Sequence, residues 1–155
     1  MMRGGCFLGI CGGALLAWLL DIARCKMKFV RLFPYYLYYS VTGRKGEVKI
    51  VWNSGNFLGE RGAQRIAWAA GPYITDSGLM RAEAFYAEDK LFLPLRGKVA
   101  VASGNRWFGR VFLFCPHPEY QCSNGDNMHL IEEAIEWLTY PEMKKRNKSK
   151  PSLFG

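Results

Sequence analysis

The sequence predicts an α/β fold with a mostly parallel sheet and an inserted β-hairpin, and three observations carry that prediction. Near the start, the apolar run Phe7-Leu8-Gly9-Ile10 enters Cys11-Gly12-Gly13 and continues as the helix-like run Ala14-Leu15-Leu16-Ala17. That is the order strand, tight turn, helix, in the Gly-x-Cys-x-Gly pattern of a nucleophile elbow with sulfur in place of a hydroxyl. Far downstream, a second apolar run, Phe112-Leu113-Phe114-Cys115, ends in Pro116-His117-Pro118-Glu119. Between these two lie short β-like runs separated by turn formers, and after them comes one amphipathic helix.

Taken in order, Cys6 to Ile10 reads as a buried strand, because a short continuous apolar run beside glycines suits a parallel strand covered on both faces. Ala14 to Arg24 reads as a helix rich in Ala, Leu and Trp, with Arg24 in the last turn, where a cation is favoured. Lys28 to Leu32 reads as extended, Pro34 to Tyr39 as an aromatic strand or covering loop, and Thr42 to Gly46 as a turn. Glu47 to Trp52 and Gln64 to Ala70 are β-like, and the turn-rich link between them predicts a long hairpin. Gly71-Pro72-Tyr73 breaks the second of these strands, and Glu83 to Glu88 offers another short one. Lys98 to Ala102 and Arg110 to Phe114 are strands joined by a turn. Asn127 to Leu138 is the amphipathic helix, with Leu130, Ile131, Ala134, Ile135 and Leu138 inward and Glu132, Glu133 and Glu136 outward.

Bulk composition narrows the class. The chain has 155 residues, half of them hydrophobic and 15% aromatic. A domain of that size buries roughly 70% of its unfolded surface and needs no staples. The expected organisation is one domain over residues 1–140 and a basic, disordered tail over 141–155. The formal net charge of +8 is concentrated in Lys144 to Lys150 and in Arg24, Lys26, Lys28 and Arg31. Without a regular aromatic platform this reads as solvated surface, and no specific nucleic-acid partner is expected. The cysteines are Cys6, Cys11, Cys25, Cys115 and Cys122, an odd set with no Cys-x-x-Cys, which suits a reducing compartment and not a disulfide framework. The two histidines, His117 and His129, give no zinc-ligand spacing, so neither metal nor organic cofactor is expected. Residues 1–20 imitate a signal peptide. However, their glycines, the closing Asp21 and the lack of a small-x-small cleavage site favour strand, turn and helix instead. The stretch is also too short and glycine-rich for a membrane span, so a cytoplasmic protein is expected.

The chemistry follows from the two apolar runs. A thiolate, not a thiol, is the nucleophile, and an elbow presents sulfur to the free N–H groups of a helix N-terminus, which favour negative charge. Gly9 and Gly13 would prevent side-chain collisions in the tight turn, and the Gly12 N–H is placed to donate to an oxyanion. His117 is stiffened by prolines on both sides, and Glu119, two residues on in an extended segment, points the same way and orients the imidazole. Cys11, His117 and Glu119 therefore offer a nucleophile, a base and an orienting acid.

On these residues the sequence resembles a class I glutamine amidotransferase-like domain. Gly9-Ile10-Cys11-Gly12-Gly13 is similar to that family's elbow, and His117-Pro118-Glu119 to its His-x-Glu. Leu8 to Ala14, the strand into Gly71-Pro72-Tyr73, and Gly109 to Glu119 are similar more narrowly to the biotin-protein ligase N-terminal domain. The resemblance runs from about residue 4 to about residue 139. It implies a flavodoxin-like three-layer sandwich and hydrolysis or transfer of a small-molecule amide, glutamine among the candidates, through a thioester on Cys11. Family members carry several elements before the elbow, so the chain is expected to be the C-terminal two-thirds of the domain, N-terminally truncated. Its open sheet edge would then be covered by a second copy or a partner chain. The alternatives are a non-catalytic binding module of the same fold and a small secreted or membrane-anchored basic protein.

Overall fold

The computed structural model describes residues 5–28, 46–60, 62–69, 71–90, 93–106 and 109–139. The strands are β1 (Phe7–Ile10), β2 (Lys26–Lys28), β3 (Gly46–Trp52), β4 (Ala63–Trp68), β5 (Tyr73–Asp76), β6 (Arg81–Tyr86), β7 (Val99–Arg106) and β8 (Gly109–Phe114). The helices are α1 (Gly12–Leu19) and α2 (Met128–Thr139). The aromatic segment Pro34 to Tyr39 and the basic tail lie outside the described residues.

One sheet takes all eight strands in the path β1-β8-β7-β6-β3-β4, with β5 joined to both β2 and β7. It is mixed, where the sequence predicts a mostly parallel sheet. Among the described residues β1 and β8 run parallel, from Phe7↔Val111 to Ile10↔Phe114, and every other pairing is antiparallel. The reason lies in the connections. A parallel neighbour needs a crossover of a dozen residues or more, whereas β3–β4 and β7–β8 are joined by links of ten and two residues, which favour antiparallel pairing. The expected hairpin is present, with β3 and β4 in register from Gly46↔Trp68 to Val51↔Ala63 at the far end of the sheet from β1.

The core is the interior of this sheet with its helices. Val48, Ile50, Ile66, Trp68, Ile74, Val101, Phe112, Leu113 and Phe114 are buried. α2 buries Leu130, Ala134 and Leu138, a stripe at four-residue spacing. Ile135, expected inward, is 47% exposed. Trp137 takes the inner position instead, stacked on Phe57 at 4.8 Å and edge-on to Phe112 at 5.7 Å. Arg110 reinforces that seat by donating to the Trp137 carbonyl at 2.7 Å.

α1 stops at Leu19, earlier than predicted, and Arg24 lies beyond it. The stop is a Schellman turn. Asp21 adopts φ 53°, its N–H donates to the Trp18 carbonyl, and the Ile22 N–H donates to the Ala17 carbonyl. With Asp in place of the usual glycine, this stop carries no obvious sequence signal. Among the described residues no helix is long and apolar enough to cross a membrane.

Candidate functional site

The site lies where β1 and β8 end side by side. Cys11 follows β1 and takes φ 49°, ψ −107°, a region that side chains rarely occupy. Three backbone bonds hold it there. Its N–H donates to the Phe114 carbonyl at 2.8 Å, and its own carbonyl accepts from Ala14 and Leu15 at the head of α1. The elbow closes so tightly that a Cβ on Gly9 would stand 2.9 Å from the Gly13 carbonyl and the Ala14 nitrogen. Glycine is therefore required at position 9. At Gly13 a Cβ would meet nothing within 4 Å, so the collision expected there does not arise.

The Cys11 thiol is half-buried, and burial pushes its pKa up. A hydrogen bond from the Gly12 N–H opposes that rise, and the negative charge of Glu119 adds to it. The net direction is upward, so the helix N-terminus does not by itself deliver a resting thiolate.

His117 stands three residues beyond the end of β8. Its N–H donates to the Ala67 carbonyl at 2.8 Å, forming a one-pair bridge to β4. Its ring stacks on Tyr120 at 5.0 Å, and Nδ1 lies 2.6 Å from Glu119 Oε1. With a carboxylate accepting at Nδ1, the proton is assigned to that nitrogen, and the Nε2 lone pair is left for chemistry. The second Glu119 oxygen is buried with no hydrogen-bond partner among the described residues. The sequence-predicted His–Glu pair is thus brought together directly. Cys11 shares its sheet end, close enough for the Glu119 charge to act on the thiol.

Two neighbours escape the motif reading. Tyr120 supplies the stacking face for His117, and a tyrosine one residue past a His-x-Glu carries no recognisable signal. Gly71 reads from sequence only as a strand breaker, yet a Cβ built on it would lie 3.3 Å from Cys11 Sγ and 2.5 Å from the Cys115 carbonyl oxygen. Among the described residues no group of three or more His, Cys, Asp or Glu is placed to hold a metal ion.

No family model matches the chain, and no curated protein matches it. Solved structures do. A "putative GMP synthase" component from Thermoplasma acidophilum superposes with a TM-score of 0.57 at 13% identity, over 89% of this chain and 60% of that one. The beta-galactosidase from Bacillus circulans sp. alkalophilus superposes with a TM-score of 0.53 at 10% identity, over 94% of this chain and 19% of that one. At such identities the likeness is one of fold, and this chain spans less than two-thirds of either protein's length. The fold is α/β and is shared with the GMP synthase component.

Proposed function

We propose that this chain is a class I glutamine amidotransferase-like domain that cleaves an amide through a thioester on Cys11. The observation that carries the reading is the 2.6 Å bond between His117 and Glu119, at the same sheet end as a cysteine held at φ 49°. In this mechanism His117 Nε2 takes the thiol proton as the sulfur attacks the amide carbon, and the Gly12 N–H receives the developing oxyanion. The imidazolium returns the proton to the departing amine, leaving an acyl-thioester. A water deprotonated by His117 then releases the acid. Glu119 holds the tautomer and balances the imidazolium charge without taking the proton itself.

The fold shared with the GMP synthase component supports the amidotransferase-like class. The narrower likeness to the biotin-protein ligase N-terminal domain and the flavodoxin-like sandwich remain part of the same proposal. So do a small amide substrate such as glutamine, a partner chain or second copy beside β1, and, given five free thiols, a cytoplasmic setting.

The test is site-resolved alkylation with iodoacetamide at pH 7, read by peptide mass spectrometry. Cys11 is expected to label faster than Cys25 and Cys122, and His117→Ala is expected to slow Cys11 by at least about tenfold, a threshold set below the roughly 10²–10⁴-fold usual for a positioned base. If Cys11 labels no faster than the other two, or if His117→Ala leaves its rate unchanged, the activated nucleophile is lost. The non-catalytic module then stands in its place.

A further inference from the structure

Gly71 lies against the Cys11 sulfur and against the Cys115 carbonyl, two residues before His117, without taking part in their chemistry. It is buried, and it follows β4 on a segment that meets the His117 loop twice. The first meeting is Ala67, whose carbonyl accepts from the His117 N–H at 2.8 Å. The second is Gly71 itself, where an added Cβ would stand 2.5 Å from the Cys115 carbonyl oxygen, 3.6 Å from the Cys115 carbonyl carbon and 3.3 Å from Cys11 Sγ. Real Cβ atoms do not approach backbone to 2.5 Å, so a side chain here forces backbone to move.

The Cys115 backbone has little freedom to retreat. Its N–H donates to the Ala100 carbonyl of β7 at 2.9 Å, and the Phe114 carbonyl before it accepts from Cys11 at 2.8 Å. Pro116 then joins Cys115 to His117 with a fixed φ, so a shift of the Cys115 carbonyl passes to the imidazole. On the other side of the elbow the surroundings are open. Gly12 is exposed, and a Cβ at Gly12 or Gly13 would meet nothing within 4 Å. The tight side of the sulfur is therefore the Gly71 side, and Gly71 follows the strand whose Ala67 holds the His117 backbone.

We propose that Gly71 is a positioning residue: its missing side chain lets the end of β4, the elbow and the His117 loop close to the spacing at which His117 serves Cys11. The proposal rests on the reading of Cys11 and His117 as nucleophile and base. A misplacement of about 1 Å costs roughly 10²-fold where groups must be aligned, so one methyl group is enough to uncouple them.

A double-mutant cycle tests it, using Cys11 alkylation between pH 6 and pH 8. In the unmodified chain His117→Ala is expected to slow Cys11 by at least about tenfold, and in a Gly71→Ala background by less than about twofold, because the coupling is already lost. Gly13→Ala, where the space is open, is expected to keep the full His117 dependence and pH profile. If Gly71→Ala preserves that dependence, the residue has a structural role only and the proposal is overturned. If His117→Ala has no effect in the unmodified chain, it is the nucleophile–base reading that fails. A second measurement needs no substitution at Gly71. With a methylthio group placed on Cys11 of the intact protein by a methanethiosulfonate, the Gly71 amide and the His117 ring signals are both expected to shift in NMR spectra. An unmoved Gly71 signal would overturn the proposal even if Gly71→Ala fails to fold.

Discussion

Backbone strain at Cys11 is a measurable quantity. At φ 49° the Cβ crowds the backbone, and a residue held in such a region costs on the order of 1–3 kcal/mol that the surrounding bonds must hold. Those bonds are the Cys11 N–H to Phe114 and the two helix N–H groups on the Cys11 carbonyl. None of them involves the sulfur, so they persist in any variant at this position. Cys11→Ala keeps the Cβ and the strain, whereas Cys11→Gly removes both. Glycine normally destabilises through a more flexible unfolded chain. Here the order is expected to reverse, with Cys11→Gly more stable than Cys11→Ala by about 1 kcal/mol in urea unfolding. An alanine variant as stable as the glycine variant would mean that the elbow is relaxed. Gly9 shows the complementary case. Its φ needs no glycine, but its contacts at 2.9 Å do.

At the level of elements, three buried ionisable groups sit at strand ends. Cys115 follows β8, Tyr86 closes β6 and Cys25 precedes β2. Burial pushes all three upward, Cys25 to about 11, and negative charge nearby adds to the effect. Each group is therefore held in its protonated form by the fold, while the unfolded chain ionises its cysteines near pH ~8.5. The sign follows from linkage. This stabilisation is fully present below the unfolded value and is lost as pH rises toward the folded one. Under reducing conditions the urea midpoint is expected to be level from about pH 7 to about pH 8 and to fall by about pH 9.5, with a smaller fall in Cys25→Ala. A flat midpoint across that window would contradict the buried placement. The same elements show why part of the fold was legible in the sequence. β-like runs bounded by turn formers, one continuous apolar run and a helical stripe marked β3, β4, β8 and α2, because burial writes itself into the apolar pattern. The end of α1 was not legible, because an Asp in a left-handed turn does what glycine usually does. The parallel sheet was misjudged because apolar runs such as Phe112 to Phe114 report burial on both faces and not the direction of the neighbours, and β8 has a parallel neighbour on one side and an antiparallel one on the other.

For the whole molecule, the local motifs at the site were legible and their spatial relation was not. Cys11 and the His117–Glu119 pair could be named because each required residue sits within a few positions of its partners. Gly71 could not be, because its role depends on two carbonyl and sulfur contacts made across 44 and 60 residues of chain. The same gap between local pattern and assembled surface governs the edge of the sheet. β1 ends the strand path, and its Phe7, Leu8 and Ile10 are only partly buried. No charged residue interrupts β1, so it lacks the usual guard against pairing with another strand. Beside it α1 and its C-cap turn outward Leu16, Leu19 and Leu20, which are 47%, 64% and 59% exposed. Among the described residues no strand pairs with the outer side of β1; exposed apolar side chains near such a strand favour association, and a second copy of the chain is the occupant present in any purified sample. Light scattering is expected to show the apparent mass rising as concentration goes from about 1 to about 100 μM, the range in which exposed edges associate. Replacing Leu16 and Leu20 with Glu and Leu19 with Lys should return the protein toward the monomer, since charge on that face resists desolvation. A single monomeric species throughout would show that the edge and the helix face stay apart in solution.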